Sequence, residues 1–211
     1  MSPRVSAEHG LQQRERILEA AAVCFCRKGY HETPVQDICD EAGLSKGGLY
    51  TYFKSKEEIL AALIEENFLR PLEQAQEVAA GGGTAVEKLD RVARFIIDRL
   101  GPGDNQTAAT PQLHLEIWAE ASKNHHLQKQ CARGYERWRA FLADLLREGI
   151  AAGQLKRDVD PDALSTILVA VFDGLSLQEG ITKVRVDWPR IAQALQRALG
   201  EGVIADARGR S

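Results

Sequence analysis

The sequence predicts an all-α fold of about nine helices. Three observations predict it. Apolar residues recur three and four apart through most of the chain, the spacing of one helix face. Small polar caps and glycines punctuate those runs where helices should begin and end. No segment alternates apolar and polar residues as a half-buried strand would.

The elements follow in order. Leu11, Ile17, Leu18, Ala21, Ala22 and Phe25 make one face of a helix over 11–28, and Gly29 stops it. Thr33 reads as the N-cap of a short helix over 34–42, with Pro34 at its first position and Val35, Ile38 and Ala42 inward. Gly43 ends that helix, Leu44 turns inward, and Ser45 caps a helix over 46–53. Ser55 caps the next, with Glu58 completing a capping box, and that helix runs from Lys56 to about Val78. The break AAGGGT, 79–84, precedes a helix over 84–100 with Val86, Leu89, Val92, Ile96 and Ile97 on one face. A loop is expected at 101–110, then helices over 111–122 and 125–152, the latter closed by Gly153. Asp160 with Pro161 opens a helix over 161–181, Asp187 opens a last one to about Leu199, and the tail 205–211 is expected to be disordered.

The chain has 211 residues, 44% apolar and 27% charged, in the range of soluble globular proteins. The lack of an uncharged apolar run of about 18 residues argues against a membrane span. With no secretory signal pattern, a cytoplasmic location is expected. The net charge of −3 does not advertise a nucleic-acid partner. Residues 1–56 carry eight basic and seven acidic residues, net +1, leaving −4 for the rest. A nucleic-acid site must therefore be a local patch, and Lys46, Lys54 and Lys56 form one. The four cysteines, Cys24, Cys26, Cys39 and Cys131, read as free thiols of a reducing compartment.

Gly47 and Gly48 are the anomaly. Two glycines inside a helix cost roughly 1 kcal/mol each relative to alanine. Two short helices joined at Gly43 form a helix-turn-helix, whose second helix presents its first residues to base edges in the major groove. Bare backbone at 47 and 48 lets that helix approach bases and phosphates closely. Ser45 and Lys46 face the same surface, Tyr50, Thr51 and Tyr52 supply hydroxyls, and Lys56 can reach a flanking phosphate. Leu49 and Phe53, four apart, anchor the helix to its own core.

The stretches ILEAAAVCFCRKGY and TPVQDICDEAGLSKGGLYTYFKSKEEIL, with their spacing, resemble the N-terminal domain of TetR-family transcriptional regulators over residues 14–65. The resemblance implies an all-α homodimer with a helix-turn-helix DNA-binding domain over 1–56. A larger ligand-binding and dimerisation domain over 57–211 follows. It places Thr33 as a helix cap at a phosphate, Ser45, Lys46, Gly47, Gly48, Tyr50 and Tyr52 on double-stranded DNA, and Lys56 on the DNA backbone. Tyr52 stands where many members carry histidine, which should alter a contact and not the fold.

The second half resembles the AcrR-like and BetI-like groups less specifically, through LEIWAEASKN and VFDGLSLQEGI. The resemblance implies dimerisation through helices 161–181 and 187–199. Ala163, Leu164, Ile167, Leu168, Ala170, Val171, Gly174 and Leu175 are small or apolar enough for close packing across a two-fold axis. It also implies a pocket for a small-molecule effector of unknown identity, for which Phe95, Arg99, His114, Trp118, Cys131, Tyr135, Trp138 and Phe172 are wall candidates.

Enzyme chemistry finds no footing. There is no G-x-S-x-G elbow, P-loop, dinucleotide fingerprint or H-E-x-x-H, so no catalytic residue and no cofactor is assigned. Glu116 and Glu120 read as a solvated helix face. Adjacent His125 and His126 diverge on a helix and lack metal-ligand spacing, so no metal is expected.

Overall fold

A computed structural model describes residues 3–100 and 111–204. Among them are nine α-helices, no strand and one isolated bridge between Leu155 and Ile204. The helices are α1 (Pro3–Lys28), α2 (Val35–Ala42), α3 (Lys46–Tyr50), α4 (Lys56–Ala79), α5 (Ala85–Leu100), α6 (Pro111–Ala121), α7 (His125–Ala151), α8 (Pro161–Thr182) and α9 (Trp188–Val203). The expected loop at 101–110 and tail at 205–211 lie outside the described residues. Two compact units emerge: the described parts of Met1–Asn67 and Asn105–Cys131, and those of Phe68–Asp104 and Ala132–Ser211.

The first unit is built on the apolar face of α1. Ile17, Ala21, Cys24 and Phe25 are buried there, with Ile38 and Cys39 of α2. Leu49 and Phe53 from the α3 segment, Ile59, Leu60 and Ile64 of α4, and Leu113 and Ile117 of α6 are buried as well. Leu11, expected on the apolar face, is 65% exposed, and α1 starts eight residues earlier than its apolar pattern does. Gly29 and Gly43 take the left-handed conformation at the ends of α1 and α2. At Gly43 the Leu44 N–H bonds Cys39 O at 2.9 Å, closing the helix. A Cβ there would be strained and would lie 2.7 Å from the Arg16 guanidinium.

Two capping assignments need correction. Pro34, in extended conformation, is itself the N-cap of α2, so the helix starts one residue later than expected. Thr33 is fully buried, and its hydroxyl donates backwards to Gly29 O at 2.7 Å and Cys24 O at 3.2 Å. At α4, Ser55 Oγ accepts the Glu58 N–H as expected, but the Glu58 carboxylate returns to the Lys54 N–H at 2.6 Å.

The second unit packs α4, α5, α7 and α8 around Ala75, Ala79, Val92, Leu142 and Leu145. Leu89, Phe95, Trp138, Leu168 and Val169 lie against that cluster. α5 opens with a reciprocal capping box. The Glu87 N–H donates to Thr84 Oγ1 at 3.2 Å and the Thr84 N–H to Glu87 Oε2 at 2.8 Å, which holds the Glu87 carboxyl below its ordinary pKa. Asp160 and Asp187 cap α8 and α9 as their sequences predict. Gln196 of α9 donates to Asp90 of α5 at 2.7 Å.

α8 leaves one stripe uncovered. Ala163, Ile167, Ala170, Gly174, Leu177 and Ile181 fall at alternating intervals of four and three residues, and all are exposed or half-buried. Ile167 is 56% and Ile181 63% exposed. By length and composition α8 is also the one described helix apolar enough to cross a bilayer, despite Asp162, Asp173 and Glu179 within it.

Candidate nucleic-acid interface

The α3 turn is fixed from inside and bare outside. Ser45 Oγ accepts the Gly48 N–H at 3.1 Å, satisfying one of the donors that a helix start leaves unpaired. Leu49 is fully buried and Phe53 nearly so, pinning one side of the turn to the core. The other side presents Lys46, Gly47, Tyr50 and Thr51 to solvent, with Lys54 just beyond. Lys46 and Lys54 form no ion pair among the described residues. The Thr51 hydroxyl donates to Gly47 O at 3.0 Å and keeps its lone pairs for an incoming donor. α3 ends at Tyr50, three residues short of the expectation, so Thr51 and Tyr52 lie in the exit turn. Tyr52 is half-buried and turns toward a groove of about 370 Å³ that also carries Arg14, Glu57, Glu58 and Glu65.

The protein does not itself require glycine at 47 or 48. Neither has positive φ. A Cβ at 47 would come no nearer than 3.9 Å to Ser45 Oγ, and at 48 no nearer than 3.5 Å. These are ordinary contacts.

Lys56 is a correction. Its ammonium does not point free toward a phosphate but donates to Tyr30 O at 2.6 Å, Thr33 O at 2.9 Å and His31 O at 3.3 Å. It also lies 4.5 Å from the Tyr30 ring centroid. Three donors and three carbonyls match one another, clamping the α1–α2 turn onto α4. Burial lowers the ammonium pKa, and Glu120 and Glu32 pull it back up. α6 holds the same turn: the Tyr30 N–H donates to Glu116 Oε2 at 2.9 Å, and His31 Nε2 lies 2.9 Å from Glu120 Oε1. Glu120 is buried and paired, contrary to its reading as a solvated carboxylate. Thr33 and Lys56 thus set the scaffold while Ser45 to Thr51 form its outer surface.

The expected effector wall divides between the units. His114 and Trp118 stack on α6, centroids 5.8 Å apart, and Cys131 is buried, all in the first unit. Burial pushes the Cys131 thiol up to about 11, which leaves it inert. All four cysteines are free thiols. In the second unit, Phe95 and Trp138 pack against the core and Phe172 meets Trp188 of α9 at 5.7 Å. Arg99 is half-buried, and both burial and nearby Arg70 lower its pKa. Tyr135 contacts Phe68 edge-on at 4.9 Å. Asp173 of α8, a residue the sequence reading passed over, is half-buried, and burial pushes its carboxyl up to about 6 while Tyr135 draws it back down. The signal was a single carboxylate in the apolar run VAVFDGL.

A capped one-turn helix with lysine, hydroxyls and bare backbone outward, set behind a glycine turn on a three-helix scaffold, defines a helix-turn-helix DNA-binding protein. Comparison with known proteins agrees. Residues 17–63 match the model of the bacterial regulatory proteins of the tetR family, and residues 89–203 that of the BetI-type transcriptional repressor C-terminal region. The HTH-type transcriptional regulator YfiR of Bacillus subtilis is 32% identical over 181 residues, 83% of each chain. Two solved structures share the architecture. A transcriptional regulator from Saccharomonospora viridis in complex with choline is 27% identical with TM-score 0.78, covering 92% of this chain and 99% of its own. FadR from Bacillus subtilis in complex with stearoyl-CoA is 25% identical with TM-score 0.76, covering 89% and 98%. The chain belongs to the TetR family of transcriptional regulators.

Proposed function

We propose that this protein is a ligand-responsive repressor that binds a near-palindromic operator as a homodimer and releases it when a small molecule binds. The observation that carries the reading is the pair Gly47 and Gly48, which weaken α3 and which no contact among the described residues requires. Ser45, Lys46, Gly47, Gly48, Tyr50 and Thr51 form the DNA surface, with Tyr52 at its edge. Residues 1–56 act as the DNA-binding part and 57–211 as the effector and dimerisation part. The protein works in the cytoplasm without catalysing a reaction.

The uncovered α8 stripe supports dimerisation through α8 and α9, because small residues alternate with Ile167, Leu177 and Ile181 on one face. A dimer sets two readers about 34–36 Å apart, one turn of DNA. An effector acts only through its differential affinity for a conformation that breaks that spacing. The ligands of the two solved relatives, choline and stearoyl-CoA, mark the range of chemistries to screen.

The test is a DNA titration at fixed salt, using the DNA upstream of the protein's own gene and a scrambled control. Wild type should bind the upstream DNA selectively, and Lys46→Ala/Tyr50→Ala should lose that selectivity. Equal, weak binding to upstream DNA, genomic fragments and the control overturns the reading.

A further inference from the structure

The first helix of the helix-turn-helix is acidic. α2 carries Asp37, Asp40 and Glu41 and no basic residue. In a helix-turn-helix the first helix crosses the DNA backbone. An unbalanced carboxylate there repels phosphate over a screening length of about 10 Å at roughly 0.1 M salt. Glu41 lies in the last turn of α2, just before the Gly43 turn that leads to Lys46. Negative charge thus flanks the surface that has to meet a polyanion.

The end of α1 answers two of these carboxylates. Its last two residues are Arg27 and Lys28. Arg27 Nη2 donates to Glu41 Oε2 at 3.1 Å, and Lys28 Nζ donates to Asp37 Oδ2. Asp37 and Glu41 are four apart, so one face of α2 presents both to α1. Asp40 accepts the Gln36 side-chain amide at 2.7 Å. Both ion pairs are open to solvent, the Arg27 side chain 53% and the Lys28 side chain 47% exposed. Pairs so exposed add little to folding stability. Their effect on the field near a bound polyanion is larger, because each replaces a bare carboxylate by a neutral pair.

We propose that Arg27 and Lys28 are positioning residues for DNA binding, which act by neutralising Glu41 and Asp37 and not by touching phosphate. They make an acidic helix tolerable at the DNA backbone. This rests on the reading of the chain as a DNA-binding regulator and adds to it two residues outside α3.

The experiment is a fluorescence-anisotropy titration of the full chain with the DNA upstream of its own gene and a scrambled duplex, at low and high salt. Arg27→Gln/Lys28→Gln should weaken binding to both duplexes by roughly tenfold at low salt, and the loss should shrink at high salt. Asp37→Asn/Glu41→Gln should bind at least as tightly as wild type. The quadruple variant should return to near wild-type affinity. Arg27→Gln/Lys28→Gln combined with Glu73→Gln/Glu77→Gln has the same net charge, but removes two exposed carboxylates of α4 that neither base touches, and should stay weak. Arg27→Lys/Lys28→Arg should keep wild-type affinity. Thermal unfolding checks that every variant folds.

A quadruple variant as weak as Arg27→Gln/Lys28→Gln would show direct phosphate contacts and overturn the proposal. Equal losses on breaking the pairs from either side would show a merely structural link and also overturn it, as would an Arg27→Gln/Lys28→Gln protein that binds like wild type or a rescue by the α4 changes. Selective binding of upstream DNA by wild type without rescue removes only the neutralising pairs. Equal, weak binding of wild type to both duplexes removes the operator reading, and rescue on the scrambled duplex then decides the pairs. Wild type that binds neither duplex overturns both.

Discussion

Lys56→Ala distinguishes a clamp from a DNA contact. In the folded chain its ammonium holds three carbonyls and faces the Tyr30 ring. Hydrogen bonds to a charged group contribute about 1.5–3 kcal/mol, and a partly exposed cation–π contact about 0.5–1 kcal/mol. Water can reach this half-buried site, so the lower part of that range applies, and a loss of about 2–3 kcal/mol is expected for the first unit. For a chain of this size that is a fall of roughly 4–12 °C in unfolding midpoint. DNA affinity should fall too, since the α1–α2 turn would no longer hold the scaffold under α3. The salt dependence should stay unchanged, because no phosphate contact is lost. Lys46→Ala should do the reverse: the midpoint stays, and the slope of log K against log salt shrinks by about 0.9 per protomer. The assay is DNA titration at four salt concentrations with thermal unfolding in parallel. An Lys56→Ala protein with an unchanged midpoint and a reduced salt slope would refute the clamp and restore Lys56 to the DNA backbone.

Further outcomes follow from other contacts. Gly47→Ala and Gly48→Ala should raise stability by roughly 1 kcal/mol each while weakening upstream-DNA binding, measured by denaturant melts and DNA titration. If both changes leave DNA affinity intact, the glycines serve no approach to DNA. Ile167→Glu with Ile181→Glu should yield a helical monomer by sedimentation, and a persistent dimer would place the interface elsewhere. Asp173 has a folded pKa of about 6, above its ordinary 3.8. Its contribution to stability is therefore greatest below the unfolded value and is lost as pH rises through about 6. Asp173→Asn should stabilise the free protein increasingly between pH 4 and pH 7, roughly, relative to wild type. A stability difference that is flat with pH would show a carboxylate at ease in its site.

Helix order was legible because its signals are local. Ser45, Ser55, Asp160 and Asp187 mark helix starts through bonds to N–H groups two or three residues on, so a few letters suffice. Gly29, Gly43 and Gly153 mark ends through their left-handed backbone. Thr33 defeated the same reasoning. Its hydroxyl chose carbonyls of the preceding helix and left Pro34 as the cap. Lys56 was misread for a different reason: its partners lie 23 to 26 residues away, across a fold that must form before they meet. Glu120 likewise took its role from His31, far off in sequence. The grouping of α6 with the N-terminal helices and the edge-on contact of Tyr135 with Phe68 are also long-range facts. No window of periodicity contains them.

The arrangement of α3 has an evolutionary consequence. Duties within this one-turn helix and its flanking residues are separated by direction. Ser45, Leu49 and Phe53 carry its structure, whereas Lys46, Tyr50 and Thr51 face outward and leave the core untouched. A lineage, or a protein engineer, can exchange the outward letters without renegotiating the fold. The inward letters are not open to such trade, because each is tied to a cap or to a core position.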